Sequence, residues 1–374
     1  MARLIALDMP ASQTFVDLVQ RAWSDGNAIL PIDQRLRPAG KKMLMDTMAP
    51  SEIIDASFTA STLPNGRPMQ DGDALVIASS GSTGSPKGII HTHSSLLAGA
   101  QASAARLQLT SDDHWLVCIP VSHVGGFSVI ARALHTSAAL TLHPAFDAVA
   151  VQEAARNGAT HTSLVATALS RIDTSLFKSI LLGGSSAPAN LSSNVITTYG
   201  MTETGGGVVY NGQPLENVEV KIVKGEILLR CPMLMRAYCD DQTIPTEDGW
   251  YATSDMGEID ENGKLSVHGR RSDMIITGGE NVWPSVVEHS MSSHPMIDQV
   301  VVRGTPDTTW GQRVVAYVVL NDSAQTSDAS LLSDLRDHVK QSLPAFYAPQ
   351  QIVVLAEIPR TSLGKVDLQA LPSA

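Results

Sequence analysis

Ala78-Ser79-Ser80-Gly81-Ser82-Thr83-Gly84-Ser85-Pro86-Lys87-Gly88 is the stretch whose reading decides the fold. The apolar lead-in 74–78 reads as a buried strand. The Ser, Thr and Gly run behind it offers backbone N–H groups, hydroxyls and one cation to an oligophosphate. A Walker loop would place Lys and then Ser or Thr directly after its second glycine, and this segment lacks that order. The chain is therefore expected to handle ATP through a loop of another kind. A Ser/Gly-rich stretch alone is as often a solvated linker, so its weight comes from the segments around it.

Outward from this loop, apolar runs alternate with helical periodicity. Residues 75–79 and 115–120 read as strands, and 94–107, 126–134 and 148–156 as helices, the last closed by Asn157-Gly158. In 94–107, Leu96, Leu97, Ala100, Ala104 and Leu107 fall on one face, and Thr92 to Ser95 supply cap candidates. Such alternation predicts an α/β architecture with substantial parallel sheet. From residue 218 the pattern changes to hairpins, 218–223 with 226–230 around Lys224-Gly225, then 258–260 with 264–268 around Glu261-Asn262-Gly263. Helix 285–293, strands 299–303 and 314–320, helix 330–342 and strand 351–355 follow. They make an α+β module of about 100 residues, a reasonable size for a domain. We expect a large N-terminal domain over 1–270, with parallel and mixed sheets, helices and a small β subdomain, and a small mobile C-terminal domain over 271–374. Residues 1–70 carry the weakest pattern, and the polar stretch 321–329 reads as a surface loop.

At 374 residues, two domains are the natural expectation. The formal charge of −11, with no basic run, argues against a nucleic-acid or anionic-membrane surface. No signal-peptide pattern and no apolar stretch of spanning length is visible, so a cytoplasmic protein without a membrane span is expected. Cys118, Cys231 and Cys239 lack Cys-x-x-Cys spacing and read as reduced structural thiols.

Further along stand Tyr199-Gly200-Met201-Thr202-Glu203-Thr204, Asp248-Gly249-Trp250-Tyr251-Ala252-Thr253-Ser254-Asp255, Gly269-Arg270-Arg271-Ser272-Asp273, Thr277-Gly278-Gly279-Glu280-Asn281 and Pro359-Arg360-Thr361-Ser362-Leu363-Gly364-Lys365. With these motifs in this order the chain resembles the acyl- and aryl-adenylate-forming enzymes, which include acyl-CoA ligases, peptide-synthetase adenylation domains and firefly-type luciferases. The spelling of 269–273, the run Gly278-Gly279-Glu280-Asn281-Val282-Trp283-Pro284 and the short chain narrow the likeness to the o-succinylbenzoate-CoA ligases of menaquinone biosynthesis. Members of the superfamily usually carry a longer region before the phosphate loop. The chain thus either lacks part of a subdomain or resembles a short form.

The resemblance implies attack of a carboxylate on the α-phosphorus of ATP, with Mg²⁺ on the phosphates, and then transfer to CoA. Ser80, Gly81, Ser82, Thr83, Gly84 and Lys87 are the candidates for the β- and γ-phosphates, with Gly81, Gly84 and Gly88 permitting loop movement. Glu203 is the implied Mg²⁺ ligand, with Thr83 beside it, although a lone Glu in a Gly-rich turn is ordinarily just an exposed carboxylate. Tyr199 offers an aromatic face to adenine within the run Thr198, Tyr199, Gly200 and Thr202, and Asp255 accepts from the ribose hydroxyls. Arg270 stands by the ribose or α-phosphate, and Gly183, Gly184, Ser185 and Ser186 approach the purine. Lys365 is implied to stabilise charge in the adenylation transition state.

For the second step the resemblance implies rotation of the C-terminal domain about a hinge at Ser272, bringing Gly278, Gly279 and Glu280 to the site. His123, preceded by Ser122, borders the acyl pocket in relatives, although a core histidine is the commoner outcome for that residue type. A free carboxylate on the acid calls for a cation, for which Arg171 is the candidate, with Arg132 or a water-mediated network as alternatives. Two departures stand out. Ser254 replaces the usual glycine of Thr-Gly-Asp, and Gly205-Gly206-Gly207 occupies a loop that lines the acyl site in relatives, which bears on the acid more than on ATP. The leading expectation is an ATP-dependent ligase making o-succinylbenzoyl-CoA. Alternatives are another aryl- or acyl-CoA ligase, an adenylation enzyme loading a carrier protein, or a non-catalytic nucleotide-binding relative. Joint retention of Lys87, Glu203, Asp255, Arg270 and Lys365 argues against the last. A homodimer is expected from the habits of soluble enzymes.

Overall fold

The computed structural model describes residues 2–80, 86–184, 188, 191–240, 244, 246–321, 328–360 and 366–373. The chain falls into two compact units, one comprising Met1–Ser185, Ser192–Val220 and Leu229–Ala252, the other Ser186–Leu191, Lys221–Leu228 and Thr253–Ala374. Residues 253–270, assigned to the N-terminal domain by the sequence reading, group with the second unit. The reason is local. The strand Leu265–Arg270 pairs antiparallel with Trp250–Ile259, and the Ser285 hydroxyl donates to the His268 carbonyl.

In the first unit, one sheet runs in the order Ala237–Tyr238, Pro86–Thr92, Asp73–Ser80, Ala28–Pro31, Ala2–Asp8, Glu52–Asp55, Ala60–Thr62, with Pro68–Met69 also on Ala2–Asp8. The weakly patterned N-terminus supplies its centre. Leu4, Ala6, Leu7, Ala28, Ile29 and Leu30 are fully buried. Helix Gln13–Ser24 starts where the Ser12 hydroxyl accepts from Phe15 N at 3.2 Å, and Pro38 opens helix Pro38–Met48, where no backbone N–H is missed. A second sheet orders Gln213–Pro214, Gly206–Tyr210, Val195–Met201, Ser179–Leu182, His161–Leu164, His114–Val117 and Ala139–Leu142, parallel from Val195–Met201 to Ala139–Leu142.

Helix His93–Leu107 begins at a Thr92–Ser95 capping box. Its inward face keeps Ala100 and Ala104 of the face read in the sequence but turns Leu97 outward. Leu97 is 47% exposed, whereas Ser95, Ala100, Ala102, Ser103 and Ala104 are buried. Small residues on that face let neighbouring elements approach closely.

In the second unit, strands Ile297–Asp307 and Gly311–Leu320 form a long antiparallel pair, joined by Ile275–Thr277, Glu280–Val282 and Gln351–Val354. Val287 and Met291 of helix Pro284–Ser292 and Leu331, Leu335 and Val339 of helix Asp328–Lys340 share one core with Val314, Ala316 and Val318. Cys118 and Cys239 are buried and Cys231 half-buried, all as free thiols whose pKa burial pushes up to about 11. Among the described residues no helix is long and apolar enough to cross a membrane.

Candidate active site

The phosphate loop is the connection of a β-hairpin. Strands Asp73–Ser80 and Pro86–Thr92 pair with Ala78 opposite Gly88, Ser79 opposite Lys87 and Ser80 opposite Pro86. Gly81, Ser82, Thr83 and Gly84 lie outside the described residues. Gly88 is a close-approach glycine in a paired strand rather than a hinge, because a Cβ there would lie 2.5 Å from Met48 Sδ and 2.6 Å from Cys239 Sγ.

Lys87 and Glu203, far apart in sequence, converge on one phenol. The short strand Ala237–Tyr238 adds to Pro86–Thr92 with Tyr238 opposite Ile89. Lys87 Nζ sits 3.3 Å from the Tyr238 ring centroid, and the Tyr238 hydroxyl donates to Glu203 Oε1 at 3.2 Å, with Tyr251 Oη also 3.2 Å away. Burial, together with the charges of Glu203 and Asp240, pushes the Tyr238 phenol up to about 12, so it stays a proton donor. The segment is fixed by Arg236, whose guanidinium grips fully buried Asp73 through Nε to Oδ1 at 2.6 Å and Nη2 to Oδ2 at 2.9 Å. Tyr238, Tyr251, Asp73 and Arg236 escaped the sequence reading.

Glu203 is carried by the 3₁₀ turn Thr202–Thr204 at the end of strand Val195–Met201. Gly200 is required there, since a Cβ would collide with the Gly206 carbonyl oxygen and lie 2.7 Å from Gly207 Cα. Tyr199, half-buried, pairs with Val209, and the ladder shifts register between Tyr199 and Gly200. The Thr198 hydroxyl donates to the Leu182 carbonyl at 3.1 Å, just before Gly183 and the left-handed Gly184, whose φ is +87°. Ser185 and Ser186 lie outside the described residues. The Thr202 carbonyl receives His91 Nε2 at 2.7 Å, and burial pushes this histidine down to about 4. A neutral His91 donating from Nε2 therefore locks the turn that presents Glu203.

His123 caps helix Val124–Thr136 and meets two residues from the weakly patterned N-terminus. Its Nε2 is 2.9 Å from Arg35 Nη2 and 3.5 Å from Asp33 Oδ2. Arg35 in turn holds Asp33 through Nε at 2.9 Å and Nη2 at 2.7 Å. Burial alone would raise the Asp33 carboxyl, but hydrogen bonding from Arg35 and His123 and the charge of Arg35 hold it well below the usual carboxylate range. Ser122 is buried, with Oγ unpartnered. Arg171 is exposed, with its guanidinium 5.1 Å from the Phe146 ring centre.

In the second unit, Asp255 lies opposite Arg270 across a strand pair, and Arg270 Nε meets Asp255 Oδ1 at 2.7 Å. The Asp255 N–H donates to Thr253 Oγ1, whose hydroxyl donates to the Ile227 carbonyl at 2.7 Å. Ser254 adopts the left-handed conformation, φ +62°, that explains the usual glycine at this position. Ser272 Oγ donates to Asp273 Oδ1 at 2.9 Å. Gly278 and Gly279, with φ of +59° and +85°, turn strand Ile275–Thr277 into Glu280–Val282, and Glu280 is exposed. Two successive positive φ values are what a two-residue hairpin of this twist demands. Lys365 lies outside the described residues.

Among the described residues no cluster of three or more His, Cys, Asp or Glu could hold a metal alone. A single carboxylate beside a lysine suits Mg²⁺ carried in on substrate phosphates, and Glu203 with Lys87 fits that donor set.

Residues 11–239 match the AMP-binding enzyme family, and 286–365 match the AMP-binding enzyme C-terminal domain. A probable 2-succinylbenzoate–CoA ligase of Mycobacterium tuberculosis is 34% identical over 332 residues, 82% of this chain and 85% of that protein. The 2-succinylbenzoate–CoA ligase of Listeria innocua is 32% identical over 331 residues, 80% of this chain and 69% of that one. Among solved structures, o-succinylbenzoate CoA synthetase of Bacillus subtilis with the acyl-adenylate intermediate superposes with a TM-score of 0.86 at 26% identity, over 100% of this chain and 88% of that one. The same synthetase with ATP and magnesium ion gives 0.84, again at 26% identity, over 97% and 88%. The chain belongs to the AMP-binding, adenylate-forming enzyme family and is related within it to the 2-succinylbenzoate–CoA ligases.

Proposed function

We propose that the protein is an ATP-dependent 2-succinylbenzoate–CoA ligase of menaquinone biosynthesis, acting in the cytoplasm as a homodimer. The observation that supports it is the convergence of Lys87 and Glu203 on Tyr238, which brings a cation suited to phosphate and a carboxylate suited to a divalent ion together on one phenol. In the first step an oxygen of the acid's carboxylate bonds to the α-phosphorus of ATP, the bond to the bridging oxygen breaks, and pyrophosphate leaves. In the second the CoA sulfur bonds to the acyl carbon, its proton is released, and AMP leaves.

The protein's part is alignment and charge neutralisation. Lys87 and the loop residues hold the β- and γ-phosphates. A magnesium ion on Glu203 would supply charge neutralisation at the departing pyrophosphate. Tyr199 faces the adenine, Asp255 accepts from the ribose hydroxyls, and Arg270 and Lys365 face charge developing at the α-phosphate. For the second step the domain beyond Arg270 turns at Ser272 and presents Gly278, Gly279 and Glu280.

Incubation with ATP, Mg²⁺, CoA and 2-succinylbenzoate, beside benzoate, salicylate and a medium-chain fatty acid, tests this reading by AMP release and thioester mass. Thioester with 2-succinylbenzoate alone is expected. Thioester only with another acid would discard the substrate and keep the chemistry, and AMP without thioester would point to a carrier-protein acceptor. Lys365→Ala is expected to abolish adenylate formation while sparing thioester formation from supplied adenylate.

A further inference from the structure

Lys87 and Glu203 carry opposite charges, share a neighbour and do not pair. Both are half-buried, and among the described residues neither has an ion-pair partner. Tyr238 takes the place of the missing pair. Its ring face carries Lys87 Nζ, 3.3 Å from the centroid, and its hydroxyl donates to Glu203 Oε1 at 3.2 Å. One phenol thus meets the cation on its electron-rich face and the anion at its positive edge.

The position of that phenol is fixed by backbone. Met235 N donates to the Glu203 carbonyl at 2.8 Å, Arg236 N to the Ile90 carbonyl at 2.8 Å and Cys239 N to the Gly88 carbonyl at 2.9 Å. The chain over 235–239 is therefore stitched both to the turn that carries Glu203 and to the strand that carries Lys87. Tyr238 itself is 4% exposed and packs with Ile89, Met235 and Tyr251. A side chain held this way acts as a spacer. With the ring removed, the ammonium and the carboxylate would close into an ion pair, which away from bulk water is harder to open than a cation–π contact and one hydrogen bond.

We propose that Tyr238 is a positioning residue that keeps Lys87 and Glu203 from pairing, so that the ammonium stays open to the ATP phosphates and the carboxylate to a magnesium ion. The inference rests on the ATP- and magnesium-dependent reading of the site and is independent of which acid is activated. Giving up a ring face and one hydrogen bond costs little, which is what a site that opens at every turnover requires.

The test is calorimetric binding of α,β-methylene-ATP, which cannot form an adenylate, with and without Mg²⁺. Tyr238→Leu lets the two charges close on each other and should weaken magnesium-free binding about tenfold. Neutralising the carboxylate then frees Lys87, so Tyr238→Leu combined with Glu203→Gln should bind the magnesium-free analogue within about threefold of Glu203→Gln alone. That second substitution would not repair lost packing, so a weakness that persists in the double variant overturns the proposal. Tyr238→Phe keeps the ring face and loses the hydroxyl. It should hold magnesium-free affinity within about threefold of wild type while shrinking the gain that Mg²⁺ confers by about threefold or more. Should Tyr238→Leu fail to fold, Tyr238→Phe with an unchanged magnesium gain overturns the proposal equally. A wild type that does not bind the analogue, or binds it alike with and without Mg²⁺, overturns the reading of the site and this inference with it. Wild-type binding with a magnesium gain that neither Tyr238 variant alters overturns the inference alone.

Discussion

Two arginine environments in the first unit meet burial in opposite ways. At the sheet edge carrying the phosphate hairpin, Arg236 grips the fully buried Asp73 with two parallel hydrogen bonds. On helix Val124–Thr136, Arg132 is more deeply buried yet meets a hydroxyl and an indole face, with no carboxylate among the described residues. The first cation is spent on architecture, because it fixes the strand that brings Tyr238 to Lys87 and Glu203. The second keeps a buried Nε with no hydrogen-bond partner. Burial alone therefore does not tell whether a cation is satisfied from within the fold.

The largest expected effect comes from breaking the satisfied pair. Asp73→Ala strips Arg236 of its partner and the Gln70 N–H of its acceptor, and should cost about 3–5 kcal/mol in urea unfolding. Adenylate formation should fall as Tyr238 loses its anchor. A loss below about 1 kcal/mol would mean that Arg236, whose side chain is 27% exposed, finds water instead, and the contrast with Arg132 would collapse.

A neutral buried group sharpens the same contrast. His91 stands at about 4 in the fold against an ordinary 6.5, so between those values the unfolded chain binds a proton that the folded chain refuses. Its share of stability is whole above about pH 6.5 and is lost as pH falls toward 4, by about 3 kcal/mol. Glu288 in the second unit has the opposite sign. Burial, offset in part by the hydrogen bond from Val302 N, raises it to about 7, so its contribution is lost as pH rises from about 4.5 toward 7. His91→Gln, which still offers an N–H to the Thr202 carbonyl, should flatten the acid side of the stability profile. An unchanged acid limb would assign that loss to other groups.

The candidate residues for the chemistry were legible in the sequence because they sit in contiguous motifs. Lys87, Glu203, Asp255 and Arg270 each announce themselves through their neighbours, and the helices 94–107 and 148–156 carry their own caps. The supports were hidden by distance along the chain. Asp73 and Arg236 are 163 residues apart, His91 and the Thr202 carbonyl 111, and His123 and Arg35 88. Residues 1–70 were hidden for a related reason. Strands of four residues such as Ala28–Pro31 have no pattern to declare until neighbours cover both faces. Periodicity also could not tell which arginine turns inward, and so Arg171, on the surface beside Phe146, was named ahead of the buried Arg132.

The smallest expected effect on stability belongs to a third arginine. Arg270 also pairs with a carboxylate, Asp255 at 2.7 Å, but its own side chain is 54% exposed while that of Asp255 is 10% exposed. Water already solvates such a cation, so Arg270→Ala should change unfolding free energy by about 1 kcal/mol or less. If Arg270 faces developing charge at the α-phosphate, the same substitution should slow adenylate formation by about tenfold or more. A large stability loss with little change in rate would make Arg270 a second Arg236, a cation spent on architecture. The expected split, with stability kept and rate lost, would make it a cation that serves the reaction more than the fold, since an ion pair at a solvent-exposed edge can open toward a ligand at little cost to the fold.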